Sequence, residues 1–268
     1  MKYKSLKHYN MNSISYQVED AVAIITLNRP DKFNAFNREM ALSMQQSLDA
    51  AEKDENVRAV LITGSGKAFC AGQDLGEVTG ENPMGFEVIL LEHYNPIVIK
   101  MREMDKPVIC AVNGVAAGAG ANIALAGDIV VASESASFIQ AFSKIGLIPD
   151  SGGTFMLPRL IGFQKASAIM MLGDKVDAKT AEQMGMIYKT MPAEGFLELA
   201  MELAGQVASM PTQALVLTKK ALNQSLSNNL RDQLLYEDKL QQKASKSEDY
   251  QEGVNAFMEK RKPVFKGK

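Results

Sequence analysis

Short apolar runs alternate with amphipathic stretches along the first half of the chain. Residues 21–27 are rich in β-branched side chains and end at the turn signal of residues 28–31, which predicts a buried strand. Met44, Leu48 and Ala51 then recur at intervals of four and three residues, as on one face of a helix. The pattern predicts a strand followed by a helix whose apolar face packs on the sheet.

The same alternation continues to about residue 132. Apolar runs at residues 59–63, 107–112 and 128–132 predict three more strands. The glycine- and alanine-rich run at residues 113–122 predicts the start of a tightly packed helix. This order of strands and helices favours a layered α/β core.

Strand signals nearly vanish after about residue 163. The periodicity from there on predicts helices at residues 164–172, 178–185, 196–208, 212–226, 230–245 and 247–260. Asp177 and Gly185 are residue types preferred at the two ends of the helix that they flank. A helical region is therefore expected after the core.

Two loops between the strands contain several glycines. Residues 64–74 form a glycine-containing loop that can bring its backbone close to a ligand. Residues 75–84 are mostly polar and are expected to form a mobile loop, usable as a lid over a site. A helix is expected at residues 85–104, kinked or interrupted at Pro96.

Length, charge and cysteine content narrow the classes of protein that fit. The 268 residues can bury a substantial core, and a net charge of -2 argues against nucleic acid as a main partner. Cys70 and Cys110 are too few for a disulfide scaffold and lack metal-ligand spacing, so we expect no metal site and a cytoplasmic location. No apolar run reaches the roughly 20 residues of a membrane span, so no membrane association is expected.

Two segments offer main-chain amides to a ligand. The first turn of the helix at residues 118–122 exposes N–H groups with little side-chain bulk, which suits a carbonyl oxygen that gains negative charge. Taken alone, close packing of this helix on a strand explains the small residues better. In the functional interpretation, the loop at residues 69–74 supplies the second donor of an oxyanion hole.

Asp150 is the one acidic residue of the segment at residues 148–153. An Asp before Ser-Gly-Gly commonly stabilises a turn through its side chain, and without further context this structural role is the better explanation. A role as catalytic acid/base is the alternative.

Several segments, in the same order along the chain, resemble those of the enoyl-CoA hydratase/isomerase, or crotonase, family. They are residues 28–35, 69–74, 111–122, 151–159, 173–178, 181–186 and 257–262. The resemblance implies an α/β crotonase fold, a ClpP/crotonase-like spiral of β-β-α units over residues 1–195, followed by a helical trimerisation region over residues 196–268. It also implies a CoA thioester substrate, no separate cofactor, and a homotrimer or a hexamer of two trimers.

The resemblance further implies a set of substrate-binding residues. The oxyanion-hole amides are those of Gln73 and Ala119. The positions matching family contacts with CoA are Lys32, Phe33, Ala71, Asp74, Leu75, Phe257 and Lys260, the last two being offered by a neighbouring subunit. The basic run at the end of this last helix complements the helix dipole equally well.

Two positions that are expected to contact the substrate in the pocket depart from the pattern of the hydratases. Hydratases of this family hold and activate water with two glutamates, and this chain has Asn122 and Phe142 at those positions. Neither side chain is an acid or a base, so ordinary hydration is not expected.

Asp150 and the residues before it resemble the ring-1,2-epoxyphenylacetyl-CoA isomerase subgroup, in which this Asp is the catalytic acid/base. The resemblance predicts an isomerase that converts 3-enoyl-CoA to 2-enoyl-CoA, or the ring epoxide to an oxepin thioester, or both. Phe142 and other apolar neighbours are expected to exclude water from the pocket and raise the pKa of Asp150. The alternatives are a hydratase-like enzyme of other specificity, a non-catalytic acyl-CoA-binding subunit, and a thioester hydrolase or dehalogenase with Asp150 as nucleophile.

Overall fold

Two β-sheets lie at the centre of the protein, in a computed structural model that describes residues 9–11, 13–79 and 83–268. The strands are β1 (Tyr9–Met11), β2 (Ile14–Glu19), β3 (Val22–Leu27), β4 (Ala59–Gly64), β5 (Ala68–Cys70), β6 (Val108–Val112), β7 (Val115–Ala117), β8 (Ile129–Ser133), β9 (Ser137–Ile139), β10 (Lys175–Asp177) and β11 (Lys189–Met191).

The helices surround these sheets and form the last quarter of the chain. They are α1 (Arg38–Lys53), α2 (Gly76–Thr79), α3 (Phe86–Val88), α4 (Asn95–Glu103), α5 (Ala119–Leu125), α6 (Gly153–Ile161), α7 (Phe163–Leu172), α8 (Ala178–Gln183), α9 (Phe196–Ser209), α10 (Thr212–Ser225), α11 (Leu230–Ala244) and α12 (Glu248–Glu259). Pro30–Lys32 and Ala141–Ile145 form 3₁₀-helices. The helical C-terminal region is present as predicted.

The larger sheet has the strand order β1-β2-β3-β4-β6-β8-β11, and the smaller one has the order β10-β9-β7-β5. The strands from β3 to β11 of the larger sheet are parallel, whereas β1, β2 and β3 pair as an antiparallel edge. The four strands predicted from apolar runs are β3, β4, β6 and β8. The prediction of a layered α/β core is confirmed.

The parallel strands are apolar on both faces because the sheet lies between two cores. Successive side chains of a strand point to opposite sides of the sheet. Ile25 and Ile62 face a core shared with α1 and α4, whereas Ile24 and Leu61 face a second core shared with α9. A sheet covered on both faces accounts for continuous apolar runs in place of alternation.

Most of the strands that were not predicted from the sequence are short, but β2, with six residues, was also not predicted. β5, β7, β9, β10 and β11 have three residues each, which is too short for a period of two to be recognised. β7 lies inside the run that was expected to begin a helix, and that helix starts only at Ala119. β10 and β11 follow residue 163, where hardly any strand signal was seen.

The helix expected at residues 85–104 is interrupted, as the presence of Pro96 predicted. Ile89–Tyr94 is a π-helical turn between α3 and α4, and Pro96 occupies the first turn of α4, where its missing N–H costs little. α2 lies in the stretch expected to be a mobile loop, and residues 80–82 of that stretch lie outside the described residues. None of the described helices combines the length and apolar character needed to cross a bilayer.

Candidate active site

The turns that follow β5 and β7 lie against each other. Gly72 has a φ of +92°, and a β-carbon built on it would lie 3.0 Å from the Ala117 carbonyl oxygen and 3.5 Å from the Ala119 amide nitrogen. A side chain at this position would therefore be both strained and crowded. Gly72 allows the two turns to approach each other.

The approach brings together two unpaired main-chain donors. Phe36 donates to the Gly72 carbonyl at 2.7 Å and accepts from the Asp74 amide at 2.8 Å, so the residue between them, Gln73, is fixed in an extended bridge. Ala119 is the first residue of α5, whose first N–H groups have no acceptor within the helix. Among the described residues, neither the Gln73 nor the Ala119 N–H has a hydrogen-bond acceptor.

The side chain of Gln73 is held in place by hydrogen bonds to two other side chains. The Tyr94 hydroxyl donates to Gln73 Oε1 at 2.8 Å, and Gln73 Nε2 donates to Glu77 Oε2 at 3.0 Å. Burial, followed by the charges of Cys70 and Asp150, raises the pKa of Tyr94, so its hydroxyl stays protonated as a donor. The Gln73 side chain thus anchors the loop and leaves the main-chain N–H free.

Asp150 lies in the turn between the second 3₁₀-helix and α6 and opens onto a cavity of about 460 Å³. The other lining residues are mostly apolar and are Phe86, Leu90, Asn95, Leu147, Ile148, Pro149, Ser151, Gly152 and Thr154. Burial raises the pKa of Asp150, although hydrogen bonds from Ser151 and from its own amide oppose the rise. A carboxyl group whose pKa is raised is a stronger base than an ordinary aspartate, which suits it to taking up a proton and returning it.

The main chain of Asp150 is held by two donors. Asn122 Nδ2 and the Gly153 amide each donate to the Asp150 carbonyl oxygen at 2.8 Å. Asn122 in turn accepts from Gln140 Nε2 at 2.8 Å, and its side chain is 1% exposed. The structure therefore places Asn122 behind Asp150, with its amide group committed to protein partners.

Phe142 lies near the other half of the site. Its side chain is buried, and its Cζ atom would be 3.8 Å from a β-carbon built on Gly118, the residue before Ala119. Phe142 is not among the described residues that line the cavity at Asp150. It packs against the turn that presents the Ala119 amide.

The residues predicted to contact CoA fall into two groups. Lys32, Phe33, Ala71, Asp74 and Leu75 belong to two adjacent segments, joined by a hydrogen bond from the Ala71 amide to the Phe33 carbonyl at 3.0 Å. Phe33 and Leu75 are more than half exposed. This group forms a surface beside Gln73.

Asp74 is paired within this surface. Partial burial alone would raise the pKa of Asp74, but hydrogen bonds from Arg29 and the Gly76 amide, with the charges of Arg29 and Lys32, lower it overall. Arg29 Nη2 lies 2.8 Å from Asp74 Oδ2. Asp74 is therefore a carboxylate that fixes its loop to the Arg29 segment.

Phe257 and Lys260 form the second group, at the end of α12. Phe257 is 82% exposed, and Lys260 caps the helix with a φ of +57°. The described hydrogen bonds and ion pairs do not connect these two residues with the surface beside Gln73.

Several residues that support the site were not singled out from the sequence. Ser151 directly follows Asp150, so its adjacency was a usable signal. Gly72 was seen only as part of a glycine-containing loop, and Tyr94 and Gln140 lie 21 and 18 residues from their partners along the chain. Glu77 lies only four residues from Gln73. The described residues contain no cluster of three or more His, Cys, Asp and Glu side chains suited to a metal ion.

Comparison with known proteins identifies the family. A model of the enoyl-CoA hydratase/isomerase family matches residues 17–268. The 1,2-epoxyphenylacetyl-CoA isomerase of Escherichia coli strain K12 is 46% identical over 263 residues, covering 96% of this chain and 100% of that protein. A probable enoyl-CoA hydratase of Rhodobacter capsulatus is 42% identical over 257 residues, covering 96% of this chain and 99% of that protein.

Solved structures agree with this result. The crystal structure of an enoyl-CoA hydratase from Bacillus anthracis superimposes with a TM-score of 0.89 at 34% identity, covering 96% of this chain and 100% of that one. The chain therefore has the crotonase fold and belongs to the enoyl-CoA hydratase/isomerase family, whose members act on CoA thioesters.

Proposed function

We propose that the protein is an isomerase of CoA thioesters that uses Asp150 as its single acid/base. The observation that carries this proposal is the composition of the cavity. Among the described residues that line it, Asp150 is the only carboxyl group. Hydration requires a group that holds and activates water as well as a proton donor, whereas isomerisation requires one group that moves a proton.

The two free amides supply the other half of the reaction. In this proposal the Gln73 and Ala119 N–H groups donate to the thioester oxygen and stabilise the enolate that forms when a proton leaves C2. Asp150 takes that proton, the double bond moves from C3–C4 to C2–C3, and the carboxyl group returns the proton to C4. No water enters the product, and the enzyme regains its starting protonation state.

The apolar wall of the cavity suits an acyl group without charge. Leu90, Leu147 and Pro149 line the cavity together with Asp150, and the burial that raises the pKa of Asp150 also limits access of water to its carboxyl group. The name of the Escherichia coli relative supports a ring epoxide, 1,2-epoxyphenylacetyl-CoA, as a second substrate. For that substrate Asp150 would assist C–O cleavage and ring expansion.

The remaining predictions about binding and assembly are part of the same proposal. Coenzyme A enters as part of the substrate and lies along Lys32, Phe33, Ala71 and Leu75. Phe257 and Lys260 complete the site from a neighbouring copy in a trimer or hexamer. The cytoplasm is the proposed location.

A hydratase of other specificity is the second candidate, because a relative that is 42% identical has the name of a probable hydratase. Purified protein incubated separately with a 3-enoyl-CoA and with a 2-enoyl-CoA separates the two candidates by product mass. Conversion of the 3-enoyl-CoA to an isomer of unchanged mass with the absorbance of a conjugated thioester, with no water added to the 2-enoyl-CoA, supports the proposal. A product of the 2-enoyl-CoA that is heavier by one water, with the 3-enoyl-CoA unchanged, supports the hydratase, and recovery of both substrates unchanged or release of free CoA contradicts both.

A further inference from the structure

The turn that carries Asp150 has an unusual backbone. Ser151 has a φ of +51° and Gly152 has a φ of +77°, so two consecutive residues occupy the left-handed region. Glycine adopts this conformation readily, whereas a residue with a β-carbon does so at an energetic cost. Surrounding contacts must therefore hold Ser151 in place.

Ser151 uses this conformation to reach the side chain of its neighbour. Its hydroxyl donates to Asp150 Oδ1 at 2.8 Å, and the residue is only 3% exposed. The second carboxylate oxygen, Oδ2, receives no hydrogen bond from another described residue. The two oxygens of Asp150 are therefore in different environments.

The main chain is fixed independently of the hydroxyl. Asn122, held by Gln140, donates to the Asp150 carbonyl oxygen at 2.8 Å. A β-carbon built on Gly153 would lie 2.3 Å from Asn122 Nδ2, so the Asn122 amide lies directly against the turn. The main chain of Asp150 is therefore held rigidly, and the Ser151 hydroxyl sets the rotation of the carboxyl group about the Cβ–Cγ bond.

We propose that Ser151 is a positioning residue that occupies Oδ1 of Asp150 and leaves Oδ2 as the oxygen that moves the proton. This inference rests on the proposed isomerase function. In the first step the C2–H bond breaks and an Oδ2–H bond forms. In the second step that bond breaks and a C4–H bond forms, so the proton balance closes.

The hydroxyl is a suitable partner in both steps. When Oδ2 is protonated, Oδ1 becomes a carbonyl oxygen that still accepts from the Ser151 hydroxyl. The hydrogen bond is therefore kept while the proton moves, and the carboxyl group need not turn between C2 and C4. A hydrogen bond to the charged form also lowers the pKa of Asp150, opposing the effect of burial.

Two variants separate the hydroxyl from the backbone conformation. Ser151→Ala removes the hydroxyl and keeps the strained β-carbon, whereas Ser151→Gly removes both. We expect kcat to fall about tenfold in each, because one hydrogen bond to a charged group is lost, with KM little changed. The acid limb of the pH profile of kcat/KM should move to higher pH in both, since the pKa of Asp150 rises.

The controls distinguish this inference from the function on which it rests. Ser143→Ala makes the same change at an exposed serine of the neighbouring 3₁₀-helix and should leave kcat and the pH profile unchanged. If Asp150→Asn keeps full activity, the proposed function is wrong. If Asp150→Asn is inactive but Ser151→Gly keeps the wild-type kcat and acid limb, only the assignment of Ser151 is overturned.

Discussion

The two halves of the candidate site present their functional groups in opposite ways. In the amide half, the main-chain N–H groups of Gln73 and Ala119 are the proposed donors to the substrate, while the Gln73 side chain is hydrogen-bonded to Tyr94 and Glu77. In the carboxyl half, the side chain of Asp150 faces the cavity, while its main chain is tied to Asn122.

The contrast shows where side-chain identity matters. The amide half depends on backbone geometry, so its essential residues are those that permit a close approach, above all Gly72. The carboxyl half depends on a titratable group, so the identity of residue 150 and its hydrogen-bond partners decides the chemistry. Substitutions in the two halves should therefore impair activity in different ways.

The largest effect is expected from Asp150→Asn. The amide keeps the shape of the side chain but cannot take a proton, so turnover of a 3-enoyl-CoA should fall by about 10² to 10⁴. Binding of a CoA thioester should persist because the amide half is intact. Steady-state kinetics and calorimetric titration check the two expectations.

Asp174→Asn is the matched control, since Asp174 is exposed and has no described hydrogen bond. It should behave as the unmodified protein. Wild-type turnover by Asp150→Asn would show that the carboxyl half does not carry the chemistry.

The next largest effect is expected from Gly72→Ala. The added methyl group would meet the Ala117 carbonyl oxygen at 3.0 Å in a backbone conformation with positive φ. The turns should separate, and loss of one oxyanion donor should lower kcat by about 10². The pH profile should keep its shape, because Asp150 is untouched.

Gly205→Ala in α9 is the control for Gly72→Ala, because a β-carbon there meets nothing within 4 Å and φ is not positive. A shift of the acid limb of the pH profile in Gly72→Ala would mean that a change in the amide half also alters the ionisation of Asp150. Full activity would mean that the close approach of the turns is not needed.

The same contrast explains what could be predicted from the sequence. Four parallel strands, β3, β4, β6 and β8, and the C-terminal helices were recognised because their apolar patterns extend over five or more residues. The six-residue β2 was missed, because its apolar and polar residues alternate and it contains no continuous apolar run. Gln73 and Ala119 were assigned through family motifs, and Asp150 through both its motif and the absence of glutamates at two positions. Local pattern and resemblance were therefore enough to propose which groups meet the substrate.

The supporting contacts could not be predicted in this way. Tyr94 meets Gln73 across 21 residues of sequence, and Asn122 meets Asp150 across 28. Such pairs depend on how α5, the π-helical turn and the Asp150 turn pack together, and no local period encodes that packing. Asn122 was expected to face the substrate, whereas the structure gives its amide group two protein partners.

A smaller effect is expected from Asn122→Ala. The Asp150 carbonyl loses one of its two donors, and Gln140 Nε2 loses its acceptor, which together should lower the free energy of unfolding by about 1 to 3 kcal/mol. The turn should loosen, and kcat should fall about tenfold as the carboxyl group loses its fixed position. Chemical denaturation and kinetics measure both effects.

Asn56→Ala, at an exposed turn where the Asn56 amide contacts only Asp54, is the control for Asn122→Ala. An equal loss of stability in the control would show that the hydrogen bonds of Asn122 contribute no more to folding than those of an exposed asparagine. A fall in stability with unchanged kcat would show that Asn122 supports the fold without positioning Asp150.

The smallest effect is expected from Asp150→Asn on thermal stability. Because burial raises the pKa of Asp150 in the folded protein, the unfolded chain gives up this proton at a lower pH, so the carboxyl group lowers the free energy of unfolding as the pH rises from its ordinary pKa through the raised one. The neutral amide avoids this cost and still accepts from the Ser151 hydroxyl, so Tm at pH 7 should rise by a few degrees. The gain should vanish at a pH below the ordinary pKa of Asp, where both folded and unfolded chains carry a protonated carboxyl group. A lower Tm at pH 7 would mean that the hydrogen bonds of the ionised Asp150 carboxylate outweigh the cost of its burial.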